Sequence, residues 1–182
     1  MEREAVWAEL QRSRSTVEQL IAPAKEGIYA IFAQASDALP VADVPSNGLV
    51  YIGRSGNLAE RDFETHFKAG ASGFSTLRRS VGALLKDELG LTAIPRGTGS
   101  SDTNYRNYRF TEVGEKALSE WMAEHLQLGV AEVPGKSVWL EQELITWLQP
   151  VLCLKGWPNS QAAAIKALRA ECVAEARRTS LS

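Results

Sequence analysis

Apolar residues recur along this chain in two rhythms, and each rhythm predicts a different element. Val6, Trp7, Leu10, Val17, Leu20 and Ile21 fall at roughly helical spacing, which predicts a helix over 2–22 closed by Pro23. Residues 27–33 are short, apolar and rich in aromatic and β-branched side chains, so they predict a strand. Residues 48–53 predict a second strand, paired antiparallel with the first across a loop over 34–48. Pro40, Pro45 and the Asn47-Gly48 pair mark that loop. A helix capped by Ser55 or Asn57 should follow and run to about Lys68. Leu77, Val81, Leu84, Leu85 and Leu89 form one stripe, which predicts a helix over 75–89. The Gly/Ser-rich stretch 95–104 reads as a mobile loop, and 105–110, alternating polar and aromatic, as a third strand. Thr111 can cap a helix over 112–126. Pro134-Gly135 is a turn, 137–148 is a helix stopped by Pro150, and 160–178 is an amphipathic helix with Ala164, Ile165 and Leu168 inward.

The sum is an α/β domain: a small, mostly antiparallel three-stranded sheet flanked by helices. One domain over 1–182 is expected, with helices 2–22 and 160–178 at its ends. Of 182 residues, 45% are hydrophobic, enough to bury a real core. The formal net charge of −2 advertises no polyanion-binding surface in bulk, so any such surface must be local. Between Arg54 and Arg109 there are nine Lys or Arg against six Asp or Glu, an asymmetry that places it mid-chain. No apolar run approaches the ~20 residues of a membrane span, and the N-terminus lacks a secretory core. The two cysteines, Cys153 and Cys172, have no metal-ribbon spacing, so a reducing, cytoplasmic setting is expected.

Two features carry chemistry. On the 137–148 helix, Glu141 shares the stripe of Val138, Leu144, Ile145 and Leu148, whereas Glu143 points away. A carboxylate on an apolar stripe is costly unless it is paired or binds a metal. The plain alternative is a structural Glu–Arg salt bridge. The second feature is Tyr51-Ile52-Gly53-Arg54-Ser55-Gly56, where glycines allow close backbone approach and a helix N-terminus suits a phosphate. Taken alone it is an ordinary β-to-α turn.

Their order along the chain is more specific. Gly27-Ile28-Tyr29 lies on the first strand and Tyr51-Ile52-Gly53 on the second, followed by Arg61, His66 and a helical Glu141. This order resembles the GIY-YIG nuclease family. That family includes the nuclease half of the excision-repair endonuclease, some homing endonucleases and some restriction enzymes. The resemblance implies a metal-dependent endonuclease acting on DNA, with Mg²⁺ or Mn²⁺ as cofactor. It implies that Tyr29, Tyr51, Arg61, His66 and Glu141 are catalytic and that Glu141 alone holds the metal. Arg54 stands where some relatives place a lysine.

The family's asparagine aligns with Cys153. Asn159 is a nearby replacement, with Asn104 and Asn107 further off. Arg61 and His66 are five apart, about 140° around an ideal helix, so both reach one cleft only if that helix bends. The long interval between the tyrosines requires the loop to bulge out. Arg54, Arg78, Arg79, Arg106 and Arg109 are the candidate nucleic-acid contacts. The alternative function is an inactive nucleic-acid-binding module on the same fold. A third class is a protein-interaction domain anchored by Trp121 and Trp157. His125 has no partner motif and is expected at the surface.

Overall fold

The computed structural model describes residues 2–40, 42–59, 67 and 69–179. Its main sheet has three antiparallel strands in the order β2-β1-β5: β1 (Gly27–Ala33), β2 (Leu49–Ser55) and β5 (Leu126–Glu132). Strand β1 is central and every residue in it is buried. That burial explains why its sequence is apolar throughout rather than alternating. Side chains on the two faces of β1 feed two packed layers. Tyr29, Ile31 and Ala33 face helices α2 (Thr76–Leu84), α4 (Glu112–His125) and α6 (Ala162–Thr179). Ile28, Ala30 and Phe32 face α1 (Glu2–Arg12) and α5 (Ser137–Leu148). The expected fold class therefore holds, helices covering both faces of a small antiparallel sheet.

Several expected elements differ. Helix α1 ends at Arg12, not near residue 22, because the outer edge of β5 captures the chain. Ser13 Oγ accepts the Val130 N–H at 2.8 Å, and Ser15 exchanges two backbone bonds with Leu128. The third strand is 126–132, not 105–110. Residues 102–106 form a short helix, α3 (Asp102–Arg106), because Ser101 caps the Asn104 N–H. Only Arg109–Phe110 (β4) is extended, and it pairs with Ala93–Ile94 (β3) in a separate two-stranded sheet.

The stretch expected to be mobile is fastened. Asn104 Nδ2 donates to Arg96 O, and Tyr105 Oη to Gly99 O. On α6 the inward face is Ile165, Cys172 and Ala176, with Ala164 exposed. The helix expected to end near Lys68 lies largely outside the described residues.

Most described residues of the 34–48 loop are exposed, as a bulge requires, but the loop is anchored. Leu39 and Ala42 are buried in the same layer as Leu152 and Ile165. Asp43 exchanges bonds with the Gln161 side chain, by its N–H at 2.8 Å and its carboxylate at 2.7 Å. The long interval between the tyrosines is thus used to cover the start of α6.

Candidate active site

Strand β2 organises the site because it is an edge strand with chemistry on both pleats. Its register sets Tyr51 opposite Ile31 and Gly53 opposite Tyr29, so the two tyrosines are diagonal neighbours on one face. Their ring centroids are 6.1 Å apart with planes inclined by 32°. Tyr29 is 3% exposed, and Tyr51 is half-buried, packing against both layers of the core at the rim of the sheet. Gly53 is required by this arrangement. A Cβ there would overlap the Tyr29 hydroxyl oxygen and ring.

Arg54 is opposite Ile28 and so points to the other face, where α5 presents Glu141. Arg54 Nε donates to Glu141 Oε2 at 3.1 Å. The Glu141 side chain is 27% exposed, at the margin of a buried stripe made by Leu140, Leu144 and Ile145. Val138, expected on that stripe, is exposed, because the helix turns its Leu140 side toward β2 and β1. Burial raises the Glu141 carboxyl above its ordinary value, and the Arg54 charge opposes that rise. The carboxylate is therefore partly desolvated and, among the described residues, paired with one cation, a disposition that suits an exchange of partners.

Helix α5 is started from outside itself. Lys136 gives no side-chain cap. Instead Glu26, the residue before Gly27, accepts the Ser137 N–H and Oγ–H on Oε1 and the Gly135 N–H at 2.7 Å on Oε2. A carboxylate at a helix N-terminus satisfies orphan donors and the dipole together. The first tripeptide and the Glu141 helix are thus tied to each other by neighbouring residues.

Beyond α5, Gln149 adopts φ 53° and turns the chain into Pro150. The segment that follows closes the outer edge of β2. Leu152 donates to Val50 O at 2.9 Å. Cys153 Sγ accepts the Ile52 N–H and donates to the Ile52 carbonyl, both at 3.4 Å. Burial pushes this thiol up to about 12, so it stays protonated and serves as donor and acceptor at once. Asn159 lies beside it, but its amide is engaged elsewhere. Nδ2 donates to Val151 O at 2.7 Å, and Oδ1 accepts the Gln161 N–H. It clasps the 151–153 turn and begins α6.

Of the residues singled out in the sequence, the structure joins Tyr29 to Tyr51 and Arg54 to Glu141. Arg61 and His66 lie outside the described residues. Two others are corrected. Arg78 and Arg79 are 0% and 6% exposed, and neither lies open to a polyanion. Arg78 forms a buried pair with Glu115 at 2.8 Å, and Glu115 also accepts from Ser72 Oγ, Gly70 N and Phe110 N. Arg106 pairs with Asp102, and Arg109 is half-buried on β4, in a unit that packs on α6. The local positive surplus overstated the surface charge because two of its arginines are in the core.

Trp121 is buried and stacked on His125 at 4.6 Å, which leaves that histidine half-buried. Trp157 donates to two backbone carbonyls. Neither tryptophan is an exposed anchor.

Among the described residues, no group of three or more His, Cys, Asp or Glu could enclose a metal. The donor set is one hard oxygen donor, Glu141. It fits a cation such as Mg²⁺, which keeps most of its waters and needs only one or two carboxylates. It does not fit a protein-enclosed zinc centre. No helix among the described residues is long and apolar enough to cross a membrane.

No curated protein and no solved structure matches the chain. The profile of the GIY-YIG catalytic domain matches residues 27–171, from the glycine that opens β1 to the middle of α6. Together with the tyrosine pair, the antiparallel sheet and the helical Glu141, that match places this chain in the GIY-YIG nuclease family.

Proposed function

We propose that this protein is a divalent-metal-dependent endonuclease that hydrolyses phosphodiester bonds in DNA. The observation that carries the reading is Glu141, a partly desolvated carboxylate paired, among the described residues, with Arg54 at the edge of the strand that bears Tyr51. Glu141 would hold Mg²⁺ or Mn²⁺, and when bound the ion supplies charge relief to the phosphate and to the departing oxygen. Arg54, released from the carboxylate, would then face the phosphate from the rim. One of the two tyrosines takes the proton of the attacking water at its hydroxyl oxygen. Tyrosine has a reference pKa of ~10, so it needs positive neighbours to serve near neutrality. Arg61 and the bound ion would fill that role. Arg61 also offsets the developing charge on the phosphate, and His66 relays the tyrosine proton outward.

A second reading is supported by Cys153, which replaces the asparagine of the family pattern: a nucleic-acid-binding module without activity. Against it, the thiol serves the Ile52 peptide as both donor and acceptor, the two functions an amide would bring. The deciding experiment offers supercoiled plasmid, single-stranded DNA, branched DNA and RNA to the protein with Mg²⁺, Mn²⁺ or EDTA. Metal-dependent strand breaks in any DNA substrate support the enzyme. Binding without breaks under every metal condition supports the module, and cleavage confined to RNA overturns the DNA assignment.

A further inference from the structure

Two consecutive arginines on α2 are both buried, yet among the described residues only one has an acidic partner. Arg78 is neutralised by Glu115. Arg79, 6% exposed, has only neutral hydrogen-bond partners among the described residues. Its Nη1 donates to Ser72 O at 2.8 Å and its Nη2 to Thr76 Oγ1 at 3.3 Å, while its Nε is buried with no acceptor. A buried charge without a counter-charge is costly.

Further cations gather at the same place. Arg96 Nη1 donates to Gly73 O at 3.1 Å, the carbonyl next to the one that Arg79 uses. Its stem lies directly over Gly73, where a Cβ would come 2.8 Å from Arg96 Cδ. Arg169 projects from α6, which packs on α2. Burial first, then the charges of Arg169 and Arg96, bring the Arg79 guanidinium down to about 10, with Tyr108 opposing. Among the described residues no carboxylate forms an ion pair with Arg79, Arg96 or Arg169. Beside them Phe74 is 72% exposed, with the Arg96 guanidinium 5.0 Å from its ring centroid. Positive charge without counter-charge, next to an open aromatic face, matches a strand of phosphates carrying unpaired bases.

We propose that Arg96 and Arg169, backed by the buried Arg79, form a second phosphate-binding locus for single-stranded nucleic acid, with Phe74 as the stacking face for a base. The proposal rests on the reading that the substrate is nucleic acid. The locus lies on the loop 72–74 and the helices beside it, downstream in the chain of the segment that carries Arg61 and His66. It uses neither Glu141 nor the tyrosine pair.

The test is fluorescence anisotropy of the full chain in EDTA with a labelled single-stranded oligonucleotide, over a series of salt concentrations. Replacing Arg96 and Arg169 by Gln should weaken binding about tenfold or more. It should also reduce the slope of log affinity against log salt by roughly 1.4, two phosphate contacts on a single strand. Phe74→Ala should weaken binding about tenfold with the slope unchanged, since stacking releases no counterions. The exposed control Lys116→Gln should change neither. Thermal midpoints identify any variant that fails to fold, and the single substitutions Arg96→Gln and Arg169→Gln then carry the test, each lowering the slope by about 0.7. Unchanged affinity and slope in the arginine variants, or a wild-type protein that binds no oligonucleotide, overturns the locus. Plasmid cleavage measured alongside separates the two readings. An inactive protein whose binding falls as described sinks the nuclease alone, and an active one with unchanged binding sinks the locus alone.

Discussion

Gly53 shows how one missing side chain makes a site. The Tyr29 hydroxyl occupies the space a Cβ would need, so Gly53→Ala must displace the tyrosine or the strand. The expected cost is about 1–3 kcal/mol of stability, the usual range for overpacking, read from urea unfolding, together with loss of cleavage. A variant as stable and active as wild type would show that Tyr29 has another position open to it. The buried Arg78–Glu115 pair makes a sharper stability prediction. Glu115→Ala leaves a charged guanidinium in the core and should cost about 3–5 kcal/mol, whereas loss of the exposed Lys116–Glu120 pair should cost almost nothing.

The sequence carried a signal for that pair. Glu115 lies three residues before Leu118 and seven before Met122, on the buried stripe of α4, as Glu141 lies at the margin of the stripe on α5. A carboxylate on an apolar stripe is legible in both helices. Which of the two is paired in the core and which stands at an edge depends on where each helix packs, and only tertiary structure decides that.

Elements with punctuation were legible, and those without were not. Strand β2 and helix α5 are bounded on both sides by glycine or proline, strand β1 opens on Gly27, and their positions follow from the sequence. Strand β5 follows α4 with no glycine or proline between them, since the helix runs from His125 into extended Leu126. Its apolar residues Leu128 and Val130 therefore had no boundary on the helix side, and Pro134-Gly135 marked only the other end. The 105–110 stretch misled in the opposite direction: its alternation suggested a strand, while the Ser101 cap made its first part helical.

Helix α5 allows a test by pH. Hydrogen bonds from Ser137 and Gly135 hold the Glu26 carboxyl below its ordinary value. A depressed folded-state pKa means that the ionised form contributes stability above the unfolded value of about 4.5. That contribution fades as pH falls through the folded-state value. Glu26→Gln should therefore be less stable than wild type at neutral pH, with the difference narrowing as the medium is acidified below about 4.5. Denaturant midpoints over a pH series measure it. A constant difference across that range would mean that the charge plays no part in starting the helix that carries Glu141.

At the scale of the molecule, the sheet separates two packed layers, and the candidate site spans the edge where they meet. Tyr51 touches both layers, the tyrosine pair lies on one face of β2, and Arg54 with Glu141 lies on the other. Net charge could not reveal this, because the cations near 72–79 are divided between a neutralised core pair and a cluster that no carboxylate pairs with among the described residues. The measurement that bears most directly on the account is Mg²⁺-dependent conversion of supercoiled plasmid by Glu141→Ala beside wild type, with equal thermal midpoints as the check on folding. The account predicts metal-dependent strand breaks by wild type and a loss of at least about a hundredfold in the variant, the scale of removing a main electrostatic element of a site. Cleavage by Glu141→Ala at the wild-type rate would contradict it.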